Sequence, residues 1–331
     1  MQSENRNRRL GGFAMVDLAV FMVVGVFIVA FLVISGGETR RQASLGRCMQ
    51  QLRQQGVAIR SYEADNAGLI ATFSWRVGDQ LSQWPDLNLA RDDLVAAANQ
   101  AVDIIRRRTD RLDFPRITGW VPHVLYTQLV IVDYLDSELP WESAACPEDE
   151  PRRCWQARGE DFCDCPIRPD CDNYPSQRWS YSSSYEFGPT FFSEDGRLAQ
   201  GPEHRYYVVL FPSHLGGKLL AQVRYPAAKA MMWEGTARHF GPKHQYHAYK
   251  EARVPILFAD GSVSAKATTD ANPGWHPLVP DDPRTTIYYY APSAWEAPTL
   301  SGKDRERVTG YYRWTRRGLA GRDFGGPEVW E

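Results

Sequence analysis

From residue 13 to residue 34 every position of the chain is apolar or glycine except Asp17. About 20 such residues suffice for a helix to cross the hydrocarbon core of a bilayer, so the run predicts a transmembrane helix over 13–35. Asp17 stands near its edge, and an ionisable residue inside a membrane span marks a functional position. The preceding stretch carries Arg6, Arg8 and Arg9 against Glu4, an excess that predicts a cytoplasmic N-terminus and an extracytoplasmic remainder. Beyond the span, Leu45, Cys48, Met49, Leu52, Gly56 and Ile59 recur at helical spacing, with Arg47, Gln50, Arg53 and Gln54 on the other face. The pattern predicts one helix from near Val16 to about Asp65, loosened at Gly36-Gly37 and stopped by Asn66-Ala67-Gly68. Plain core packing accounts for its second apolar stripe.

Two further helices follow from periodicity. In 86–112, Leu94, Val95, Ala98, Val102 and Ile105 line one face, and Arg106-Arg107-Arg108 suits the negative end of the helix dipole. Three arginines without interleaved aromatics read as a solvated end rather than a nucleic-acid contact. In 121–139, Val124, Leu125, Leu129, Val132 and Leu135 predict a third helix. After residue 177 the pattern turns β-branched and aromatic, bounded by Gly and Pro. Strands are expected over 178–185, 206–211, 230–234, 255–259 and 262–266. Asp260-Gly261 between the last two is a hairpin signal, favouring a type I′ turn. Helices first and strands later make the class α+β: a long N-terminal transmembrane helix continuing into a globular head with an antiparallel sheet.

Composition adds little that the pattern lacks. Of 331 residues, 43% are hydrophobic and 12% aromatic, which suits a folded head. The net charge of −2 gives no pull toward nucleic acid. Cysteine usage changes the picture more. Five of six cysteines fall between Cys146 and Cys171, at Cys146, Cys154, Cys163, Cys165 and Cys171. In an oxidising compartment this reads as a disulfide-stapled loop, whose odd fifth thiol either stays free or finds Cys48. A thiolate zinc site is the alternative, although the lone Cys163-Asp164-Cys165 has no paired Cys-x-x-Cys elements beside it.

Three segments resemble a known family. The basic leader ending in Gly12, then Phe13, with an acid four positions later heading an apolar helix, resembles the class III signal of type IV pilins and type II secretion pseudopilins. The stretch 47–59 followed by Tyr62 resembles the post-membrane helix of bacterial pilin-like proteins. Val254 to Val263, containing Asp260-Gly261, resembles their C-terminal motif of a histidine upstream of Asp-Gly, with His247 as the histidine. Asp17 stands where the family usually has Glu. The resemblance implies cleavage between Gly12 and Phe13 by a prepilin peptidase, methylation of Phe13, and pairing of Asp17 with a neighbouring subunit's N-terminal amine. It further implies an inner-membrane, single-pass subunit whose partners are other pilin-like subunits, the peptidase and the inner membrane, and which joins a filament or pseudopilus. The chain then divides into a leader (1–12), an assembly helix (13–35), its extension on the head (36–66), a helical insertion with the cysteine loop (67–177), a sheet region (178–300) and a tail (301–331).

Candidate chemistry beyond this is sparse. His239, His244 and His247 lie close together with Glu234 and Asp260 near in sequence, but match no closed zinc spacing. No pattern demands a cofactor. If the head takes an ion, the hard oxygens of Asp270, Asp281 and Asp282 favour calcium. No nucleophile elbow or phosphate loop is present: Ser182-Ser183-Ser184 reads as a polar strand face, and Gly216-Gly217-Lys218 lacks the surrounding motif. The expectation is therefore a non-enzymatic filament subunit, the alternative being an anchored extracytoplasmic enzyme or ligand-binding protein.

Overall fold

The computed structural model describes residues 15–121, 123–135, 138–171, 174–193, 196–210, 214–279 and 284–329, and within α1 (Met15–Asp65) the side chains of 19–28, 37 and 39–65. Two compact units result, one up to Ala43 and one from Ser44 to Glu331. In the first, the side chains of Val20, Phe21, Met22, Val23, Val24, Val26, Phe27 and Ile28 are exposed.

The expected transmembrane helix, and with it single-pass anchoring in the inner membrane, needs correction. Among the described residues no helix is long and apolar enough to cross a membrane. Further along α1, Thr39, Arg40 and Arg41 are exposed polar positions. The fold class that stands is mixed helix and sheet.

In the second unit, the rest of α1 buries Cys48, Leu52, Gln55, Ala58 and Ile59. Gly56 lets a strand approach closely: a Cβ there would meet Leu257 Cδ1 at 2.9 Å. Helix α2 (Asp93–Thr109) is capped by Asp92, whose side chain accepts from the Val95 N–H, and ends at Asp110 in the left-handed region. Its three arginines are absorbed by the fold. Arg106 makes paired 3.0 Å bonds to Asp86, while Arg107 and Arg108 both reach Asp133. The third helix expected over 121–139 is instead a 3₁₀ turn at Thr127–Tyr134. Leu129, Val130, Ile131 and Val132 are all buried, so this segment has no polar face, and its β-branched run favours the α-helix poorly. The α3 helix (Glu150–Arg158) follows, capped by Asp149.

Among the described residues, ten short strands complete the head: β1 (Tyr185–Phe187), β2 (Leu198–Gln200), β3 (Tyr207–Val209), β4 (Ala230–Glu234), β5 (Thr236–Ala237), β6 (Gln245–Tyr246), β7 (Arg253–Phe258), β8 (Val263–Ala267), β9 (Ile287–Tyr290) and β10 (Glu306–Thr309). A four-stranded antiparallel sheet runs β1-β4-β7-β8; β2 and β3, β5 and β6, and β9 and β10 form two-stranded ribbons. Residues 178–181, expected as strand, lie in a 3₁₀ turn (Tyr174–Tyr181). The following serines bond backbone rather than joining a ladder: Ser182 Oγ donates to Trp179 O and Ser183 Oγ to Ala144 O.

Strand alternation sorts the sheet's two faces. Tyr185, Phe187, Met232 and Leu257 join the core that contains Cys48 and Leu52. Trp233, Val254, Ile256 and Phe258 join a second core with Tyr288, Tyr290 and Tyr312. A register shift between Ala230 and Met232 brings Ala230 into that second core. The β7–β8 turn differs from the expected type I′. Phe258 N–H bonds Ser262 O at 2.8 Å around a three-residue loop, and Gly261 alone takes positive φ, +88°. That is a type I turn closed by a glycine bulge, in which the Asp260 carboxylate accepts from the Ser262 N–H and hydroxyl.

Candidate functional site

Of the processing and assembly residues, Gly12 and Phe13 lie outside the described residues, as does the side chain of Asp17. Asp281 and Asp282 lie outside them too; Asp270 is exposed at the end of a 3₁₀ turn. His247 and Asp260 carry separate local roles. Asp260 shapes the β7–β8 turn, whereas His247 is fully buried among Trp233, Tyr246 and Tyr312, with Nδ1 3.2 Å from Gly235 O. Burial drives the His247 pKa down to about 4, with Arg313 adding to the fall and Glu186 opposing it.

The cysteines divide into two groups. Cys154–Cys165 and Cys163–Cys171 form disulfides. Together with Trp155, Phe162 and Trp179 these cysteines make a small core under α3. Cys48 and Cys146 remain free thiols and are wholly buried.

These two thiols belong to the densest group of ligand-type side chains among the described residues. Cys48 comes from α1, Cys146 from the loop before α3, Glu234 from the last position of β4 and His239 from just beyond β5. Their donor atoms all lie within 4.8 Å of one another. The two Sγ atoms are 2.8 Å apart, and His239 Nε2 stands 3.1 Å from Cys48 Sγ and 3.3 Å from Cys146 Sγ. Glu234 Oε2 is 3.6 Å from the same nitrogen. Backbone geometry fixes three of the four: the β1–β4 register sets Glu234 opposite Tyr185, Cys146 N–H donates to Ser184 Oγ, and Gly56 holds α1 against Leu257.

The surrounding charges are paired. Arg238 reaches Glu234 Oε1 at 3.1 Å and Asp149 Oδ2 at 2.7 Å, and Arg152 lies 3.5 Å from Asp149. Burial alone would raise the Asp149 pKa, but Arg238 and Arg152 outweigh it and hold the carboxyl below its usual range. Burial pushes the Cys146 thiol well up, helped by Cys48 and the charge of Glu234. For Cys48, burial is outweighed by hydrogen bonds from Cys146 and His239, and its pKa falls. Glu234 Oε2 and His239 Nδ1 are buried without a protein hydrogen-bond partner. Of the three histidines grouped in sequence, only His239 joins this cluster; His244 is exposed.

A separate cavity of about 400 Å³ is lined by Trp120, His123, Arg178, Trp179, Arg205 and Tyr207, among others. Burial, reinforced by Arg178, drives the His123 pKa down to about 3, so the imidazole is neutral. Sequence reasoning missed this cavity because its lining residues share no spacing. The four-donor cluster was half legible: the odd thiol of the loop had either to stay free or to meet Cys48, and Glu234 and His239 lay near one another, but nothing linked the two pairs. No family model, curated protein or solved structure matches this chain.

Proposed function

We propose that the chain is a pilin-like assembly subunit, a structural protein that joins copies of itself through the first part of α1. The observation that carries this reading is the exposed apolar series Val20, Phe21, Met22, Val23, Val24, Val26, Phe27 and Ile28. At about 100° per residue these positions take in every side of the helix, and a helix apolar all round must be enclosed. Copies of the same helix provide an enclosure of matching length and character. The signal-like segment at Gly12, Phe13 and Asp17 supports the same reading, with the mature chain beginning at methylated Phe13 and Asp17 pairing with a neighbour's amine. The disulfides under α3 suit a head matured in an oxidising compartment.

The test is assembly of the full chain by sedimentation and electron microscopy, with the N-terminal mass measured on the same material. Ordered filaments that Phe27→Asp and Val24→Asp reduce to monomers, with the head's circular dichroism unchanged, are the expected outcome. A wild-type chain that stays monomeric and keeps Met1 overturns the reading.

A second reading rests on the cavity at Arg178, where Arg178 Nε is buried without a protein partner beside Trp179 and the neutral His123. A cation and aromatic walls suit a small anionic ligand. Calorimetry with carboxylates and phosphates, compared with Arg178→Ala, tests it; no heat with any of them removes it.

A further inference from the structure

We propose that Cys48, Cys146, His239 and Glu234 bind one divalent transition-metal ion, zinc by the chemistry of the donors, in a closed four-ligand site that fastens α1 to the Cys146 loop and the end of β4. Two thiolates, an imidazole and a carboxylate are the donor types that tetrahedral zinc accepts. Soft sulfur ligands turn the site away from calcium and magnesium. All four side chains are buried, at 0%, 0%, 4% and 0% exposure in that order, so the site has no position open to water and reads as structural rather than catalytic.

Three observations favour a metal over a third disulfide. First, Glu234 Oε2 is fully buried with no hydrogen-bond partner and lies 3.6 Å from His239 Nε2. An ion between them uses both atoms. A Cys48–Cys146 disulfide uses neither, and withdraws the thiols that His239 Nε2 now contacts at 3.1 and 3.3 Å. Second, the charges balance. Metal entry is M²⁺ + 2 RSH → M(SR)₂ + 2 H⁺, so the ion replaces the two thiol protons and adds no net charge to the interior. Glu234 and Asp149 are already matched by Arg238 and Arg152. Third, the geometry is within reach. Thiolates on tetrahedral zinc stand about 3.8 Å apart, from Zn–S bonds of about 2.3 Å. The sulfurs at 2.8 Å therefore spread by roughly 1 Å on binding, while the carboxylate and imidazole, at 3.6 Å, need almost no movement.

The site would do for α1 what a disulfide does, with a reversible bond. Cys48 lies on α1 far in sequence from its three partners, so the ion closes long loops of chain across the core.

The experiment uses the full chain produced with zinc in the medium. Elemental analysis, and thiol alkylation under denaturing conditions with a chelator, are read on the same sample. One zinc per chain with Cys48 and Cys146 both alkylated is expected. Exchange of zinc for cobalt should give a thiolate-to-cobalt charge-transfer band and the visible bands of a tetrahedral ion. Because Cys146→Ser risks misfolding, Glu234→Gln is the second variant; it should weaken metal affinity about tenfold or more while keeping the charge-transfer band. A Cys48–Cys146 cross-linked peptide from metal-free protein overturns the site. So does metal content that Cys146→Ser and Glu234→Gln, both still folded, leave unchanged.

Discussion

The central sheet buries one glutamate on each face, and the two are provided for differently. Glu186 on β1 opposes Trp233, and Glu234 on β4 opposes Tyr185, so neighbouring residues of one strand pair send their carboxylates to opposite sides. On the Trp233 side, Arg313 meets Glu186 Oε2 and also donates to Gln200 Oε1 at 2.9 Å, His204 O at 2.6 Å and Tyr246 Oη at 3.0 Å. His247 Nδ1 stands 3.7 Å from the other Glu186 oxygen. On the Tyr185 side, Glu234 has Arg238 on one oxygen and only the thiol–imidazole group facing the other. A buried carboxylate with counter-charge and hydrogen-bond donors around it serves the fold. One that keeps an unpartnered oxygen beside two thiols and an imidazole is equipped to take a ligand.

The sharpest way to break this comparison is Arg313→Ala. It leaves the Glu186 carboxyl buried without its guanidinium, which should destabilise the head by about 3–5 kcal/mol in denaturant unfolding. A loss below about 1 kcal/mol would show that Glu186 is not held by that ion pair. The next effect is in pH. His247 has a folded pKa of about 4, below its unfolded value. As pH falls below about 6.5 the unfolded chain takes up a proton that the native state refuses until about 4. Stability is therefore full above that window and declines through it, by up to about 3 kcal/mol. Unfolding midpoints measured from pH 7 to 4 should slope downward, and His247→Gln should make the slope shallower, leaving the part that His123, with its pKa of about 3, contributes.

Glu234→Gln in metal-free protein should cost less, about 2 kcal/mol, because Arg238 keeps Asp149 at 2.7 Å and so is not left uncompensated. A loss equal to that of Arg313→Ala would erase the distinction between the faces. Smallest is Tyr246→Phe, which removes one acceptor from Arg313 and the 3.1 Å contact with Tyr288 Oη, about 1 kcal/mol by the same unfolding assay.

Legibility in the sequence followed locality. The helix ending at Asp65, the strand Ala230–Glu234 and the turn at Asp260-Gly261 are each encoded within a few residues of themselves, by period or by turn chemistry. The segment 121–139 misled because its buried run shows helical spacing by chance of being apolar throughout. The apolar run at 13–34 misled as a membrane span, since length and hydrophobicity say that a helix needs covering without saying by what. The cysteines illustrate the same limit. Their clustering announced disulfides, while the pairing Cys154–Cys165 and Cys163–Cys171 came from the way α3 and its following turns fold back.

By itself, then, the sequence determined the long N-terminal helix, the strand-rich second half and the presence of a stapled cysteine loop. Backbone period, turn residues and composition act over short distances and need no partner. Only the tertiary structure decided which face each glutamate occupies, which thiols stay free, and that Cys48, Cys146, Glu234 and His239 meet. Those outcomes depend on strand register, on the close approach at Gly56 and on loops closing over long separations, and none of these is written in any one stretch of chain.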